Sequence, residues 1–314
     1  MPTTTRFSVD LTEEQLFELL GHEVRMEVLR VLWETFEFDA YVTQSRDPVP
    51  FTDLRERAAY DGSGNFGYHL EKLVGTLVEK TAEGYLLSPL GYNIMRALDT
   101  YATFEYETLD ETVLADSCPF CGGNLLGSYQ RQVLAVSCQS CDGLAETGYF
   151  TFVQLESTTV AEVDIPDLLD AGIQNLEQRV RSSLYGRCWE CHSTLDRTLE
   201  YCDAHASTDR KVCAECDHRY AMLLDVECPN CGTGGRGPLF EYAMLVPEVR
   251  VLLANHGLGA RQVGPWRYRL AAFEAVEETD LTTDPPGVTY RFERGDDAVA
   301  VRIEDRDGIT STVL

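Results

Sequence analysis

Cys188-Trp189-Glu190-Cys191 opens a stretch that runs on through Cys202-Asp203-Ala204-His205, Cys213-Ala214-Glu215-Cys216 and Cys228-Pro229-Asn230-Cys231. Upstream stand Cys118-Pro119-Phe120-Cys121 and Cys138-Gln139-Ser140-Cys141. Each is a metal-type donor, two residues, and a second donor. All 11 cysteines are used, and one histidine completes the set. A tight turn with this spacing aims two donors at one ion, and two such turns complete a tetrahedral Zn²⁺ site. Six pairs imply three sites. Each has four protein ligands and no open position for water, so Lewis-acid catalysis is not expected.

The segment between the first two pairs reads as a hairpin from Asn124 to Ser137, turning near Tyr129-Gln130-Arg131 and returning through Val133, Leu134 and Val136. Knuckles at the two ends of one hairpin make a zinc ribbon. Phe150 to Leu155 extends its sheet. Ile165 to Ser183 carries Leu168, Leu169, Ile173, Leu176 and Val180 at helical spacing.

The later four pairs admit more than one assignment. His192 to Tyr201 and Asp217 to Glu227 contain no Gly, Pro or Asn to turn the chain. An extended strand of ten residues spans roughly 35 Å, so its ends cannot share an ion. The favoured arrangement pairs the two stretches antiparallel and nests the sites. Cys188, Cys191, Cys228 and Cys231 then lie at one end, and Cys202, His205, Cys213 and Cys216 at the other. Consecutive and cross-braced pairings stay open.

Composition bounds the rest. Met1 to Asp10 has no basic or long apolar run, which points to the cytoplasm and away from a membrane, and paired cysteines there read as metal ligands rather than disulfides. Aspartate and glutamate number 52 against 26 lysines and arginines, a net charge of −26, and only Lys72, Lys80 and Lys211 are lysine. Acidic excess of this kind suits a high-salt interior, where repulsion is screened within a few ångströms.

Residues 11–105 read as helices closed by a short hairpin. Helices are expected over Glu13–Leu20, His22–Thr35, Asp53–Ala59 with Thr52 as N-cap, and Asn65–Glu79 with Phe66, Leu70, Leu73 and Leu77 inward. Tyr60 to Gly64 is a turn. A wing follows from Lys80 to Leu87, turning at Glu83-Gly84, and Pro89 opens a last helix with Ile94, Leu98 and Tyr101 in a stripe. This is the order of a winged helix-turn-helix, whose fourth helix would enter the major groove. Its outward residues, Asn65, Tyr68, His69 and Lys72, are candidate base and phosphate contacts; His69 also reads as a partly buried packing residue. Arg55, Arg57 and Lys80 are candidate phosphate contacts. Over residues 51–82, four basic and five acidic residues leave a net charge of −1, far less acidic than the chain as a whole. The string Gly62-Ser63-Gly64-Asn65-Phe66-Gly67 matches a dinucleotide fingerprint but follows a helix rather than a strand, which rules that reading out.

Leu20-Gly21-His22-Glu23-Val24-Arg25-Met26-Glu27-Val28-Leu29 resembles the opening of ArsR-like winged-helix transcription regulators, and Tyr68-His69-Leu70-Glu71-Lys72-Leu73-Val74 resembles their recognition helix. With the cysteine pairs, the whole chain resembles haloarchaeal regulators that carry zinc-binding C-terminal regions. The resemblance implies a cytoplasmic, DNA-binding transcription regulator that is not an enzyme, with double-stranded DNA as partner and a homodimer or RNA polymerase and other transcription proteins as further partners. The metal-sensing cysteines of that family lie on its DNA-binding helices. Here no cysteine precedes Cys118, so that mechanism does not carry over. The alternative reading is a transcription-machinery adaptor acting by protein contacts, similar to archaeal transcription factor E alpha, which also joins a winged helix to a zinc ribbon.

At the C-terminal end, Leu239–Gly257 reads as one helix, and Trp266–Glu277, Gly287–Glu293 and Ala298–Glu304 as strands with turns at Asp284-Pro285-Pro286 and Arg294-Gly295-Asp296-Asp297. Asp305 to Gly308 reads as a solvated turn. The expected fold is therefore α+β and multidomain: a winged helix-turn-helix domain over 1–107, a zinc ribbon over 108–160, a helix with a two-zinc antiparallel hairpin over 161–235, and a small α+β unit over 236–314.

Overall fold

The computed structural model describes residues 11–36, 47–58, 65–101, 108–145, 148–155, 163–205, 211–305 and 309–314. The expected turn at Tyr60–Gly64, residues 306–308 of the turn expected over Asp305–Gly308, and the end of the third helix at Ala59 lie outside these. The chain divides into two compact units, Met1–Phe104 and Glu105–Leu314.

In the first unit, helix α1 (Glu13–Leu20) is closed by a capping box in which the Thr12 hydroxyl accepts from Gln15 N and the Gln15 side chain accepts from Thr12 N. Helix α2 (Glu23–Glu34) is capped by His22, whose Nδ1 accepts from Val24 N at 3.2 Å. Helix α3 spans Phe51–Arg57, α4 Phe66–Leu73, and α5 Pro89–Tyr101. Strands β1 (Val78–Lys80) and β2 (Tyr85–Leu87) pair antiparallel. Val28, Leu29, Leu54, Leu70, Leu73 and Leu77 form the centre of this core, each at most 1% exposed. Each such side chain contributes about 1.5–3 kcal/mol over its exposed state.

Three expectations are corrected here. Thr52 is not the cap of α3: the helix starts at Phe51 behind Pro50, and the Thr52 hydroxyl donates to Asp53 Oδ1. Helix α4 stops at Leu73 rather than Glu79, because Gly75 takes φ +84°, a left-handed position that ends helices. Leu77 therefore sits in the turn before β1, still fully buried. Finally, His69 points inward. Phe66, His69, Leu70 and Leu73 are buried together, the helical spacing of one face, and the His69 ring lies against His22, tilted by 35° with 3.9 Å between centroids.

Among its described residues the second unit holds three antiparallel sheets. Strands β3 (Leu109–Ser117), β4 (Asn124–Gln130), β5 (Val133–Cys138) and β6 (Tyr149–Gln154) lie in that order. The β4–β5 turn falls at Arg131-Gln132, both with φ near +60°. Helix α6 (Ile165–Leu184), capped by Asp164, buries Ile165, Leu168, Leu169 and Ile173 against this sheet. Strands β7 (Asp196–Tyr201) and β8 (Met222–Glu227) pair antiparallel in full register from Asp196–Glu227 to Tyr201–Met222, and β9 (Gly234–Pro238) adds to β8. The last sheet runs β10 (Val276–Thr283), β11 (Pro286–Arg294), β12 (Asp297–Asp305) and β13 (Ile309–Val313).

The long helix expected over Leu239–Gly257 is broken by Pro247 into α7 (Phe240–Ala243) and α8 (Pro247–Asn255). Helix α9 (Ala260–Val263) leads to α10, Pro265–Ala275, where a strand was expected. Trp266, Tyr268, Arg269, Leu270, Ala271, Ala272, Phe273 and Ala275 of α10 are all buried, so no exposed stripe marks the helical period. One continuous core runs from Leu114 to Ile303. The boundaries expected near 160 and 235 therefore separate parts of one packed body, not independent domains. Phe240 lies at its centre, against Tyr220, Phe273, Tyr290 and Phe292, with ring centroids 4.7–6.2 Å away.

Candidate metal centres

Four of the six ligand pairs share one local design. The residue after the second ligand is left-handed: Gly122, His192, Asp217 and Gly232, with φ between +57° and +73°. Its N–H donates back to the carbonyl of the first ligand, as in Gly122 to Cys118 at 2.9 Å and His192 to Cys188 at 3.0 Å. The first ligand's N–H in turn donates to the carbonyl five residues on, as in Cys118 to Gly123 and Cys228 to Thr233, both 2.8 Å. These bonds close the turn so that both thiols leave it on the same side. Glycine takes the left-handed position freely, whereas His192 and Asp217 do so at some cost.

The knuckles assemble into three groups whose donor atoms lie within 4.8 Å of one another: Cys118, Cys121, Cys138 and Cys141; Cys188, Cys191, Cys228 and Cys231; and Cys202, His205, Cys213 and Cys216. The arrangement is the nested one. The first group sits at the base of the β4–β5 hairpin, the other two at opposite ends of the β7–β8 pair. Sulfur–sulfur separations of 3.5–3.6 Å approach the ~3.8 Å edge of a tetrahedron with ~2.3 Å metal–sulfur bonds. Thiolate and imidazole donors in this geometry suit zinc. The three groups fit three zinc sites.

The hydrogen bonds around each group tune its donors. At the ribbon site the N–H groups of Phe120, Gly123 and Ser140 point at Cys118, Cys121 and Cys138 Sγ at 3.3–3.4 Å. Burial pushes the Cys118 thiol well up, so its ionised form needs a cation beside it. Phe120, between the ligands Cys118 and Cys121, stacks on Phe150 at 5.2 Å and meets Phe273 edge-on at 5.7 Å. The knuckle is thereby anchored in the main core.

The outer nested site is the richest in side-chain donors. Ser193 Oγ lies 2.9 Å from Cys191 Sγ and 3.2 Å from Cys228 Sγ, Asn230 donates to Cys191 at 3.5 Å, and Thr233 Oγ1 is 3.2 Å from Cys231 Sγ. Hydrogen bonds from Ser193 and then Asn230 lower the Cys191 thiol to about 5. Sequence reading missed Ser193 and Thr233. Their signal is a hydroxyl residue two places after the second ligand, in Cys191-His192-Ser193 and again in Cys231-Gly232-Thr233.

At the inner nested site, His205 Nε2 lies 3.0 Å from the Arg219 carbonyl and Nδ1 lies 3.5 Å from Cys216 Sγ. A carbonyl only accepts, so Nε2 carries the proton and Nδ1 presents its lone pair to the metal position. Burial lowers the His205 pKa, which keeps the ring neutral as a ligand must be. Burial pushes the Cys216 thiol up to about 12.

The other candidate residues lie in the first unit. Asn65, Tyr68, Lys72, Arg55, Arg57 and Lys80 are all exposed; Tyr68 is 55% so. Lys72 Nζ lies 5.5 Å from the Tyr68 ring centroid. Lys80 pairs with Glu71 at 3.6 Å and Arg57 with Glu34 at 3.4 Å. His69 does not join this face.

The family described as a domain of unknown function (DUF7351) matches residues 115–308, and a second so described (DUF7347) matches residues 13–98. The chain belongs to the DUF7351 family. Its DUF7351 region contains all twelve metal-type ligands and lies within the second compact unit, while the DUF7347 match lies within the first. No curated protein and no solved structure matches the chain. Among the described residues no helix is long and apolar enough to cross a membrane.

Proposed function

We propose that the chain is a sequence-specific DNA-binding transcription regulator, with a winged helix-turn-helix in residues 1–107 and three zinc sites that hold the remainder together. The observation that carries this reading is the division of α4 into two faces. Phe66, His69, Leu70 and Leu73 are buried while Asn65, Tyr68 and Lys72 are exposed. A short helix packed on one side and polar on the other, beside a two-stranded hairpin bearing Lys80, suits insertion into a major groove. Arg55 and Arg57, exposed on the preceding α3, suit phosphate contacts. The ion pairs of Lys80 and Arg57 are exposed. Such pairs contribute at most about 1 kcal/mol and yield easily to phosphates.

The zinc sites support the second half of the reading. Each group is filled by four protein donors, and the knuckles anchor in the core at Phe120 and Trp189.

The test is selection of duplex sites from a random pool by the pure protein at molar KCl, followed by titration of the selected site. Four cations at the interface predict a slope of log K against log salt of about −3.6 per bound unit. Lys72→Gln should reduce that slope by about 0.9, and Tyr68→Ala should weaken the selected site more than random DNA. Failure to select any duplex, with retention of RNA polymerase or a transcription protein instead, would favour the adaptor reading and sink this one.

A further inference from the structure

Arg219 belongs to no metal group, yet it touches two of them. Its carbonyl accepts from His205 Nε2 at 3.0 Å and so fixes the ligand ring of the inner nested site. Its backbone N–H donates to the Leu144 carbonyl at 2.9 Å. Its side-chain Nε donates to the Gly143 carbonyl at 2.6 Å. Gly143 and Leu144 stand two and three residues after the ribbon ligand Cys141. The guanidinium then lies 3.9 Å over the ring of Phe120, the residue between ribbon ligands Cys118 and Cys121. Both knuckles of the ribbon site are thus braced by one residue, and the same residue orients a ligand of a site distant in sequence. An Ala145–His218 bridge runs alongside.

Gly143 sits in a crowded turn. It is left-handed at φ +57°, and a Cβ there would meet the Gly148 carbonyl oxygen at 2.5 Å. The Arg219 side chain grips this turn two residues beyond the ligand Cys141. In the other direction, the His205 Nε2 bond to the Arg219 carbonyl ties the ligand ring of the inner site to the same residue.

We propose that Arg219 couples the inner nested zinc site to the ribbon zinc site, so that filling either one tightens metal retention at the other. Linkage makes the effect reciprocal. The outer nested site, whose thiols are held by Ser193, Asn230 and Thr233, lies outside this chain of contacts and serves as an internal control.

The test uses the full-length zinc-loaded protein challenged with excess chelator in the presence of a thiol-alkylating reagent. Peptide mass spectrometry reads the alkylation rate of each cysteine, and so follows the three sites separately. Arg219→Met keeps the backbone contacts and removes the brace. The lost hydrogen bond involves a charged donor, so it should speed alkylation of Cys118, Cys121, Cys138 and Cys141 on the order of tenfold or more. Cys202, Cys213 and Cys216 should speed up with them, while Cys188, Cys191, Cys228 and Cys231 keep their rates. Arg219→Lys, which keeps the charge over Phe120, should recover part of the loss. Cys213→Ser, which opens the inner site, should release the ribbon site faster, and adding Arg219→Met to it should have little further effect there. Ribbon rates unchanged in Arg219→Met, equal acceleration at all three sites, or full additivity in the double variant would each overturn the coupling.

Discussion

Glu241→Gln is the most exacting test of the packing in the second unit. Arg269 and Glu241 form an ion pair with side chains only 3% and 9% exposed. The guanidinium also donates to the Phe150 carbonyl at 3.3 Å and lies 4.9 Å from the Phe273 ring centroid, so it ties α10 and α7 to the ribbon sheet. Neutralising Glu241 leaves a positive charge in a site closed to water. Breaking one side of a buried pair costs about 3–5 kcal/mol. For a unit of this size that corresponds to a fall in melting temperature of roughly 6–20 °C. The cost should persist at molar KCl, since a buried pair is poorly screened, whereas an exposed pair such as Arg30–Glu27 (56% and 38% exposed) should contribute nothing measurable there. The double replacement Glu241→Leu with Arg269→Met should recover most of the loss, because Arg269 Nε has no hydrogen-bond partner among the described residues and the pair is incompletely compensated. Urea and thermal unfolding at fixed zinc and salt supply the assay. A single-variant loss below about 1 kcal/mol, or a double variant no better than the single, would refute the reasoning.

Two further outcomes follow from named groups. Glu278 is buried, accepts from Ala221 N at 2.8 Å and from the Tyr290 hydroxyl at 3.1 Å, and burial raises its pKa above the ordinary 4.5. A raised folded pKa means that the protonated form favours folding. That contribution is complete below about pH 4.5 and is lost as pH rises through the folded value. Glu278→Gln should accordingly flatten the fall of unfolding free energy above that pH, as read by urea titrations at several pH values; parallel curves for the two proteins would exclude the assignment. Cys228→Ala should drop the bound zinc from three ions to two by elemental analysis and speed alkylation of Cys188, Cys191 and Cys231. Retention of all three ions would contradict the nested grouping.

The metal centres were legible because their signal is local. A knuckle is written in five or six consecutive residues, and the absence of turn residues in His192–Tyr201 and Asp217–Glu227 disfavoured closing a site across either stretch. Helix α10 was not legible for the opposite reason: buried on nearly every side, it shows no amphipathic stripe, and its aromatic content mimics a strand. Strand β3 hid because only Leu114 of its nine residues is buried, and β9 because Gly234-Gly235-Arg236-Gly237-Pro238 carries no strand-forming side chain. The inward turn of His69 was readable from its place between Phe66 and Leu73, and the early end of α4 from Gly75. The link through Arg219 was not, since it joins residues 76 positions apart in the chain.

Brackets within brackets impose an order of assembly on the nested pair. As the polypeptide leaves the ribosome, Cys202, His205, Cys213 and Cys216 are complete before Cys228 and Cys231 exist. The inner ion should be captured first, and by tying off its own loop it should shorten the slack that the outer four donors must later close. A time course of zinc uptake by newly made chains, resolved thiol by thiol, should show protection spreading outward from Cys202, and a cell short of zinc should accumulate chains sealed at the centre and still open at Cys188 and Cys228.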